Sequence, residues 1–424
     1  MTTAQRRVVV AGGGWAGLSA AVEATRLGHA VTLLEMAPRL GGRARTVDVE
    51  GLALDNGQHI AIGAYVQTLA LLRTLGVAES DAFMRCPLEL CDAAGAGLRM
   101  GGGPPAAAFA IAVLRHPAWA LSEKIALLRA AAAWHRMRFR CDPAWTVAQL
   151  TAQLPRRVRR DLVDPLCVAA LNTPAHDASA AMFLRVLGDA LFGGRGSADL
   201  LLPRQPLGAL MPEPAERWLQ AHGATVQCRA RVDAIEQSPT GWRVHGSQAH
   251  DADAVVVATS ASESARLARA HAAAWAERAE ALPYEPIITV YLRKPGARLR
   301  APMVALREGP DAPAQFAFDR GRLTGADGLF AFVVSGAQRW LEAGIDATLA
   351  ATRRQAVGAI GSASLETVKI IAERRATIRC VPELVRPSMV LAPGLLAAGD
   401  HVDGPYPSTL EGAIRSGIAA ARAI

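Results

Sequence analysis

Apolar runs alternate with glycine-rich stretches at the start of the chain. Val8–Val10 leads into a run of three glycines, and the alanine- and leucine-rich segment from Ala16 to Leu27 predicts a helix. A second apolar run, Ala30–Leu34, ends in the acid Glu35. The pattern predicts a β-α-β unit over the first 35 residues.

Further apolar runs predict that the same sheet is completed from distant parts of the chain. Ala254–Thr259 is apolar throughout most of its length, as in a strand buried on both faces. Leu395–Ala398 is a similar run, and Glu411–Ala423 predicts a last helix. We therefore expect an α/β fold with a discontinuous, Rossmann-like nucleotide-binding domain formed by residues 1–95, 203–261 and 386–424.

The two remaining segments have different patterns. Residues 96–202 are mostly helical by composition, with a helix over 123–138, and predict a helical lid region facing the substrate or a membrane. Residues 262–385 contain runs typical of strands at Ile287–Leu292, Ala314–Phe318 and Phe330–Val334. They predict an inserted mixed α+β substrate domain.

Composition limits the class of partner. The 424 residues carry a net charge of +8, and only Lys124, Lys294 and Lys369 are lysines. Aromatic residues are 5% of the chain, and no basic run is interleaved with them, so nucleic acid is not expected as a partner. An anionic membrane surface or an anionic cofactor accounts for the charge equally well.

Cysteine spacing and apolar run length limit the chemistry and the location. The six cysteines form no C-x-x-C pair, and no histidine cluster has metal-ligand spacing, so we expect reduced thiols and no metal. The first predicted strand leaves no room for a signal peptide, and no apolar run reaches the ~20 residues that span a bilayer. These features predict a cytoplasmic protein.

The glycines after the first strand form a dinucleotide-binding motif, Gly12-Gly13-Gly14-Trp15-Ala16-Gly17. Gly12 allows a tight turn, and Gly14 lets the backbone approach a pyrophosphate, whose charge is favoured at a helix N-terminus. Gly17 lets the helix pack closely on the strand. Glu35 stands where a carboxylate accepts hydrogen bonds from a ribose.

Later clusters are not needed by an enzyme that binds only a nicotinamide cofactor. Gly41-Gly42-Arg43 follows Glu35, and Arg43 can bridge a pyrophosphate. Asp55-Asn56-Gly57-Gln58-His59 comes next. Near the end, Ala398-Gly399-Asp400-His401 precedes Pro407–Ala413, which predicts a helix N-terminus aimed at an electron-rich ring.

These motifs together resemble the flavin amine oxidase and phytoene desaturase superfamily. Within it, residues 55–65 and 404–413 resemble the bacterial hydroxysqualene dehydroxylases. The resemblance implies non-covalent FAD, because the surroundings of Cys380 do not match a flavin-attachment site. It implies that these residues bind FAD: Gly12, Gly14, Trp15, Ala16, Glu35, Gly42, Arg43, Val232, Gly399, Asp400 and Leu410.

The resemblance also implies a reaction, the reduction of hydroxysqualene to squalene in hopanoid biosynthesis, with an unidentified reductant. We expect His59 to be the acid that protonates the leaving hydroxyl, or to orient that acid, with Asp55 and Gln58 beside it. The alternative is that Asp55 and Gln58 bond the backbone and that His59 only caps a turn. His401 and Tyr406 are second candidates.

The substrate implied is a long, apolar isoprenoid, which favours a peripheral position on the inner face of the cell membrane. Apolar residues between positions 106 and 138, flanked by arginines, predict either a membrane-docking face or the roof of the substrate cavity. The other functions that remain open are a carotenoid- or phytoene-type desaturase and, in a different class, a non-catalytic carrier of prenyl lipids or prenylated proteins.

Overall fold

The computed structural model describes residues 5–424. In the first hundred of these residues, β1 and β2 are parallel neighbours, and the other strands belong to small antiparallel sheets. The strands are β1 (Arg7–Ala11), β2 (Ala30–Glu35), β3 (Thr46–Val49), β4 (Leu52–Asp55), β5 (Ala61–Ile62), β6 (Phe83–Cys86), β7 (Glu89–Cys91) and β8 (Gly97–Arg99). The helices are α1 (Trp15–Arg26), α2 (Val66–Thr74) and α3 (Glu79–Ala82).

The next hundred residues are mainly helical. The helices are α4 (Pro105–Arg115), α5 (Leu121–Arg136), α6 (Val147–Leu150), α7 (Arg156–Val158), α8 (Asp164–Leu171) and α9 (Ala180–Phe192). A π-helical turn, Arg159–Val163, joins α7 to α8, and strand β9 (Leu200–Pro203) follows α9.

The third segment returns to the parallel sheet. Its strands are β10 (Thr225–Cys228), β11 (Val232–Ser238), β12 (Gly241–Gly246), β13 (His250–Ala252) and β14 (Ala254–Val257). Its helices are α10 (Leu207–Leu210), α11 (Pro212–Ala221), α12 (Ala261–Ala268) and α13 (Ala273–Glu280).

The last segment forms all five strands of a second large sheet and then adds two strands to the first. Its strands are β15 (Tyr284–Arg293), β16 (Met303–Ala305), β17 (Phe316–Asp319), β18 (Leu329–Val334), β19 (Glu366–Ile378), β20 (Val390–Ala392) and β21 (Leu395–Ala397). Its helices are α14 (Arg320–Thr324), α15 (Gln338–Ala343), α16 (Ile345–Ile360) and α17 (Leu410–Arg422).

The first large sheet has the order β10-β2-β1-β14-β21-β20, and all of its neighbouring strands are parallel except β20 and β21. Val257 pairs with Ala11 on one side and with Ala397 on the other. Because parallel strands end at the same edge, the segments that follow these three strands meet there, which is where ligands bind in open α/β sheets. The predicted α/β fold class is confirmed.

The second large sheet is antiparallel and has the order β16-β17-β18-β15-β19. Tyr291, Phe318 and Val333 on one face belong to the same apolar core as α4, α5, α8 and α9. Phe330 and Phe332 on the other face belong to a second core with α15 and α16. The inserted part is therefore three layers deep, with the antiparallel sheet in the middle.

Candidate active site

The first glycine loop, residues 12–14, connects β1 to α1. The Gly12 N–H donates to the Leu34 carbonyl at 2.7 Å, and Gly12 has a φ of +108°. A Cβ at Gly12 would lie 2.5 Å from the Ala258 carbonyl oxygen, and one at Gly17 would lie 1.8 Å from the Gly12 carbonyl oxygen. Only glycine fits at both positions, so the backbone itself forms the surface at the start of α1.

Glu35 lies beside this loop at the end of β2. Its carboxylate accepts hydrogen bonds from the Gly13 N–H at 2.6 Å and the Ala37 N–H at 2.7 Å. The Ala230 N–H donates to the Glu35 carbonyl at 2.9 Å, so the segment leading to Val232 passes next to Glu35. Val232 is buried, and its carbonyl accepts a hydrogen bond from Arg266 at 2.8 Å.

The second glycine loop, residues 41–45, packs directly on the first. The Gly41 N–H donates to the Gly13 carbonyl at 2.9 Å, and the Trp15 indole donates to the Ala44 carbonyl at 3.0 Å. A Cβ at Gly42 would lie 3.1 Å from the Gly14 Cα. The two loops therefore form one glycine-lined cradle at the N-terminus of α1.

The segment after β21 reaches the same cradle. Asp400 forms an ion pair with Arg43, whose guanidinium also donates to the Ala376 carbonyl at 2.8 Å. The Gly399 N–H donates to the Ser416 hydroxyl of α17 at 3.1 Å. Leu410 begins α17, the helix that packs against α1, so the C-terminal segment meets the first glycine loop here.

Two histidines near Arg43 have buried ring nitrogens with no hydrogen-bond partner among residues 5–424, Nδ1 of His59 and Nε2 of His401. Burial, assisted by the positive charge of Arg43, lowers the pKa of each imidazole to about 4. Both rings are therefore neutral at neutral pH. Each of these two nitrogens is therefore free to hydrogen-bond a group that binds beside Arg43.

These features fit FAD. The glycine cradle and the N-terminus of α1 suit a pyrophosphate, and Arg43 adds a cation beside it. Glu35 lies where a ribose would be held. The structure thus brings together almost all of the residues that the sequence indicated, from Gly12 to Leu410, with Val232 on the Glu35 side.

The other predicted catalytic residues, Asp55 and Gln58, lie in a buried network rather than facing a free surface. Arg320 donates to Asp55 Oδ2 at 3.1 Å and to Gln58 Oε1 at 2.9 Å. Tyr291 accepts a hydrogen bond from Gln58 Nε2 at 2.9 Å and donates to the Asp55 carbonyl at 2.8 Å. Sequence reasoning missed Arg320 and Tyr291, because neither belongs to a motif.

Of the second candidates, Tyr406 has a hydrogen-bond partner, whereas His401 Nε2 has none among residues 5–424. Tyr406 donates a hydrogen bond to Asp189 Oδ2 of α9 at 2.6 Å. Glu411 accepts hydrogen bonds from the Gln67 and Thr68 N–H groups at 3.1 and 2.9 Å, so it caps the first turn of α2. Cys380 is fully buried, and burial raises the pKa of its thiol to about 12.

Comparison with known proteins agrees with this geometry. The chain is 28% identical to a hydroxysqualene dehydroxylase from Rhodopseudomonas palustris, over 98% of this chain and 97% of that protein. It is 26% identical to one from Sinorhizobium fredii, with the same coverage. An oxidoreductase structure from Methanosarcina mazei matches 98% of this chain and all of that one, with a TM-score of 0.74 at 15% identity.

The model of one protein family covers most of the chain. The family is described as flavin containing amine oxidoreductase, and its model matches residues 15–424. The match includes the second glycine loop, the 55–59 motif and the Asp400 segment. The chain therefore belongs to the flavin-containing amine oxidoreductase family, whose members are FAD-dependent oxidoreductases.

Proposed function

We propose that this protein removes the hydroxyl group of hydroxysqualene to give squalene and water, as a step of hopanoid biosynthesis. The observation that carries the proposal is the similarity, over 98% of the chain, to two proteins named hydroxysqualene dehydroxylase. A cradle that fits FAD and an apolar cavity within the helical layer support it.

In the proposed reaction the carbon–oxygen bond breaks, the hydroxyl leaves as water, and the carbon gains a hydride. When bound, reduced FAD supplies that hydride. The glycine cradle and Arg43 hold the cofactor, and Glu35 fixes its position at the other end. The chain's own residues must then deliver one proton to the leaving oxygen and keep other water away.

We assign to His59 the delivery of that proton to the leaving oxygen. Its Nδ1 is buried and unpartnered, and its pKa of about 4 leaves it neutral at neutral pH. A neutral imidazole orients the substrate hydroxyl through a hydrogen bond. Only the small protonated fraction can protonate the alcohol, so this step should become faster as the pH falls toward 4.

The helical layer contains a small apolar cavity of about 30 Å³, which would have to widen to admit an isoprenoid chain. Its lining is entirely apolar and comes from α4, α5, α8, α9, the π-helical turn and Phe139 just after α5. Five aromatic residues contribute: Phe109, Trp134, Phe139, Phe183 and Phe192. Aromatic faces accommodate both an apolar chain and an allylic cation. Opposite the cavity, α9 contacts Tyr406 of the C-terminal segment through Asp189.

The same helices support a peripheral position on an anionic membrane. Four aliphatic side chains on α4 and α5 are 38–67% exposed: Ile111, Leu114, Leu121 and Ile125. The cations around them form no ion pair with any residue of the described part of the chain: Arg115, Lys124, Arg129, Arg136, Arg138 and Arg140. This combination is typical of monotopic docking.

The sequence left two alternatives open for the apolar residues of α4 and α5, a membrane-docking face and a roof over the cavity. Val113, Leu127 and Trp134 are buried in the core and face the cavity or its surroundings. The two helices therefore roof the cavity with one face and expose the other. No helix within residues 5–424 has the length and apolar character to cross a bilayer.

Anaerobic incubation of the photoreduced protein with hydroxysqualene tests the function. We expect squalene to form in step with flavin reoxidation, and His59→Ala to slow both by at least tenfold. Dehydrogenated products from phytoene, without squalene formation, would instead favour the desaturase. A colourless protein that ignores added FAD would favour the carrier.

A further inference from the structure

Arg320 and Tyr291, which belong to the antiparallel sheet layer, form hydrogen bonds with the segment that contains His59. Arg320 begins α14 and Tyr291 lies in β15, both parts of the antiparallel sheet layer. The Arg320 and Asp55 side chains are 3% and 2% exposed, so their ion pair is closed to solvent. Asp55 Oδ1 is also occupied, by the Leu207 N–H at 2.8 Å and the Thr46 hydroxyl at 3.1 Å.

The chain between Asp55 and His59 needs such a restraint. Strand β4 ends at Asp55, and Gly57 has a φ of +99°. Glycine populates positive and negative φ about equally, so Gly57 does not by itself fix the conformation of this turn. The planar guanidinium of Arg320 bridges Asp55 and Gln58, on either side of that glycine. The two guanidinium N–H groups of Arg320 have a fixed relative geometry, so they set both the distance and the orientation of Asp55 and Gln58, which a lysine ammonium cannot do.

We propose that Arg320 and Tyr291 are positioning residues, which fix the 55–58 turn so that the His59 imidazole is held at the reaction site. Asp55 and Gln58 are then parts of the same restraint, since their side-chain groups are already bonded within it. The assignment rests on the proposed role of His59. It assigns to the antiparallel domain a part in aligning the proton-donating side chain.

The experiment compares two mild variants, Tyr291→Phe and Arg320→Lys, in the full-length holoenzyme. Tyr291→Phe removes one hydroxyl, and Arg320→Lys keeps the charge but removes the fork. Arg320→Met is avoided as a single change, because it leaves Asp55 buried without a counter-ion. The matched control is Leu365→Ala, which removes a buried side chain from the core on the far side of the sheet.

Two readouts separate positioning from a general loss of structure. We expect Tyr291→Phe and Arg320→Lys to lower kcat for hydroxysqualene at least tenfold while KM changes less than twofold. We also expect them to shift the ring resonances of His59 in protein carrying isotope-labelled histidine, assigned with His59→Gln. Leu365→Ala lowers the unfolding temperature but leaves kcat and the His59 resonances unchanged.

A folded Tyr291→Phe or Arg320→Lys protein with wild-type kcat and unshifted His59 resonances would overturn the proposal. If the wild type does not convert hydroxysqualene at all, the proposed function fails. The His59 resonances still decide whether the two residues position this ring, because that readout needs no substrate.

Discussion

The Arg43 guanidinium forms an ion pair with the Asp400 carboxylate across 357 positions of sequence. Arg43 comes from the second glycine loop and Asp400 from the segment after β21. The pair connects two parts of the cradle that no local interaction joins. It also places the Arg43 charge near the rings of His59 and His401, whose pKa values that charge lowers.

Removal of the Arg43 cation should weaken FAD binding. Arg43→Ala removes the cation of the cradle, so we expect the Kd for FAD to rise at least tenfold, as for the loss of a charge-assisted hydrogen bond. Titration of the flavin-free protein, followed by flavin fluorescence, measures this. Arg298→Ala breaks an exposed pair with Asp327 and should leave the Kd unchanged. An equal effect of both variants would refute the role of Arg43.

A single methyl group at Gly42 should have a similar effect. Gly42 has a φ of +61°, and an added Cβ would lie 3.1 Å from the Gly14 Cα. We expect Gly42→Ala to lower FAD occupancy in the purified protein, because the two loops must separate. Gly358→Ala adds the same methyl to α16, with nothing within 4 Å, and should be neutral or stabilise by up to about 1 kcal/mol. The flavin absorbance of the two variants, relative to protein, makes the comparison.

The stability of the flavin-free protein should fall as the pH drops below about 6.5. The pKa of His401 is lowered to about 4 by burial, so between these two values the unfolded chain binds a proton that the folded chain does not. From pH 7 to pH 5 this contribution amounts to about 2 kcal/mol.

Urea unfolding at both pH values, for the wild type and for His401→Leu, isolates the contribution of His401. The wild type should lose about 2 kcal/mol more than the variant, because other titrating groups are common to both. An identical loss in the two proteins would show that His401 is not buried in its neutral form.

FAD should leave the protein on acid precipitation. Cys380 is the cysteine nearest in sequence to the C-terminal motif, but it is fully buried, its thiol donates to the Ile378 carbonyl at 3.5 Å, and its pKa is raised to about 12. A thiolate is needed for attack on a flavin, so Cys380 is inert. We expect a yellow supernatant and a colourless pellet. A yellow pellet after washing would indicate a covalent bond.

The nucleotide-binding part could be predicted from the sequence because its signals are local. The second strand extends only one residue beyond the predicted apolar run, to Glu35, and the last helix differs from its prediction by one residue at each end. Glycines at this spacing predict a tight turn and close backbone contacts, and a Cβ at Gly12 or Gly17 would indeed clash with neighbouring backbone atoms. Such signals do not depend on what the rest of the chain does.

The restraint on the 55–58 turn could not be predicted in this way. Arg320 is one arginine among many, and only the folded antiparallel sheet shows that it enters a buried site with Asp55. The long strand β19 was also missed, because its exposed edge position leaves it with no apolar alternation. An interaction between two distant segments leaves no recognisable pattern in the sequence of either segment, so it could not be predicted from the sequence.

The exposed face of α4 and α5 should bind anionic vesicles. We expect the wild type to sediment with liposomes that contain phosphatidylglycerol, and less so with neutral liposomes or at high salt, because binding combines apolar burial with charge attraction. The triple variant Leu114→Ser, Leu121→Ser, Ile125→Ser should stay in the supernatant.

The matched control changes three residues that are similarly exposed but lie elsewhere: Leu27→Ser, Ile345→Ser and Val357→Ser. It removes about as much surface hydrophobicity and leaves the face of α4 and α5 intact, so it should sediment like the wild type. If both triple variants lose binding equally, the attraction is a general property of the surface. If the wild type remains in the supernatant at low salt, α4 and α5 do not dock on a membrane and serve only to roof the cavity.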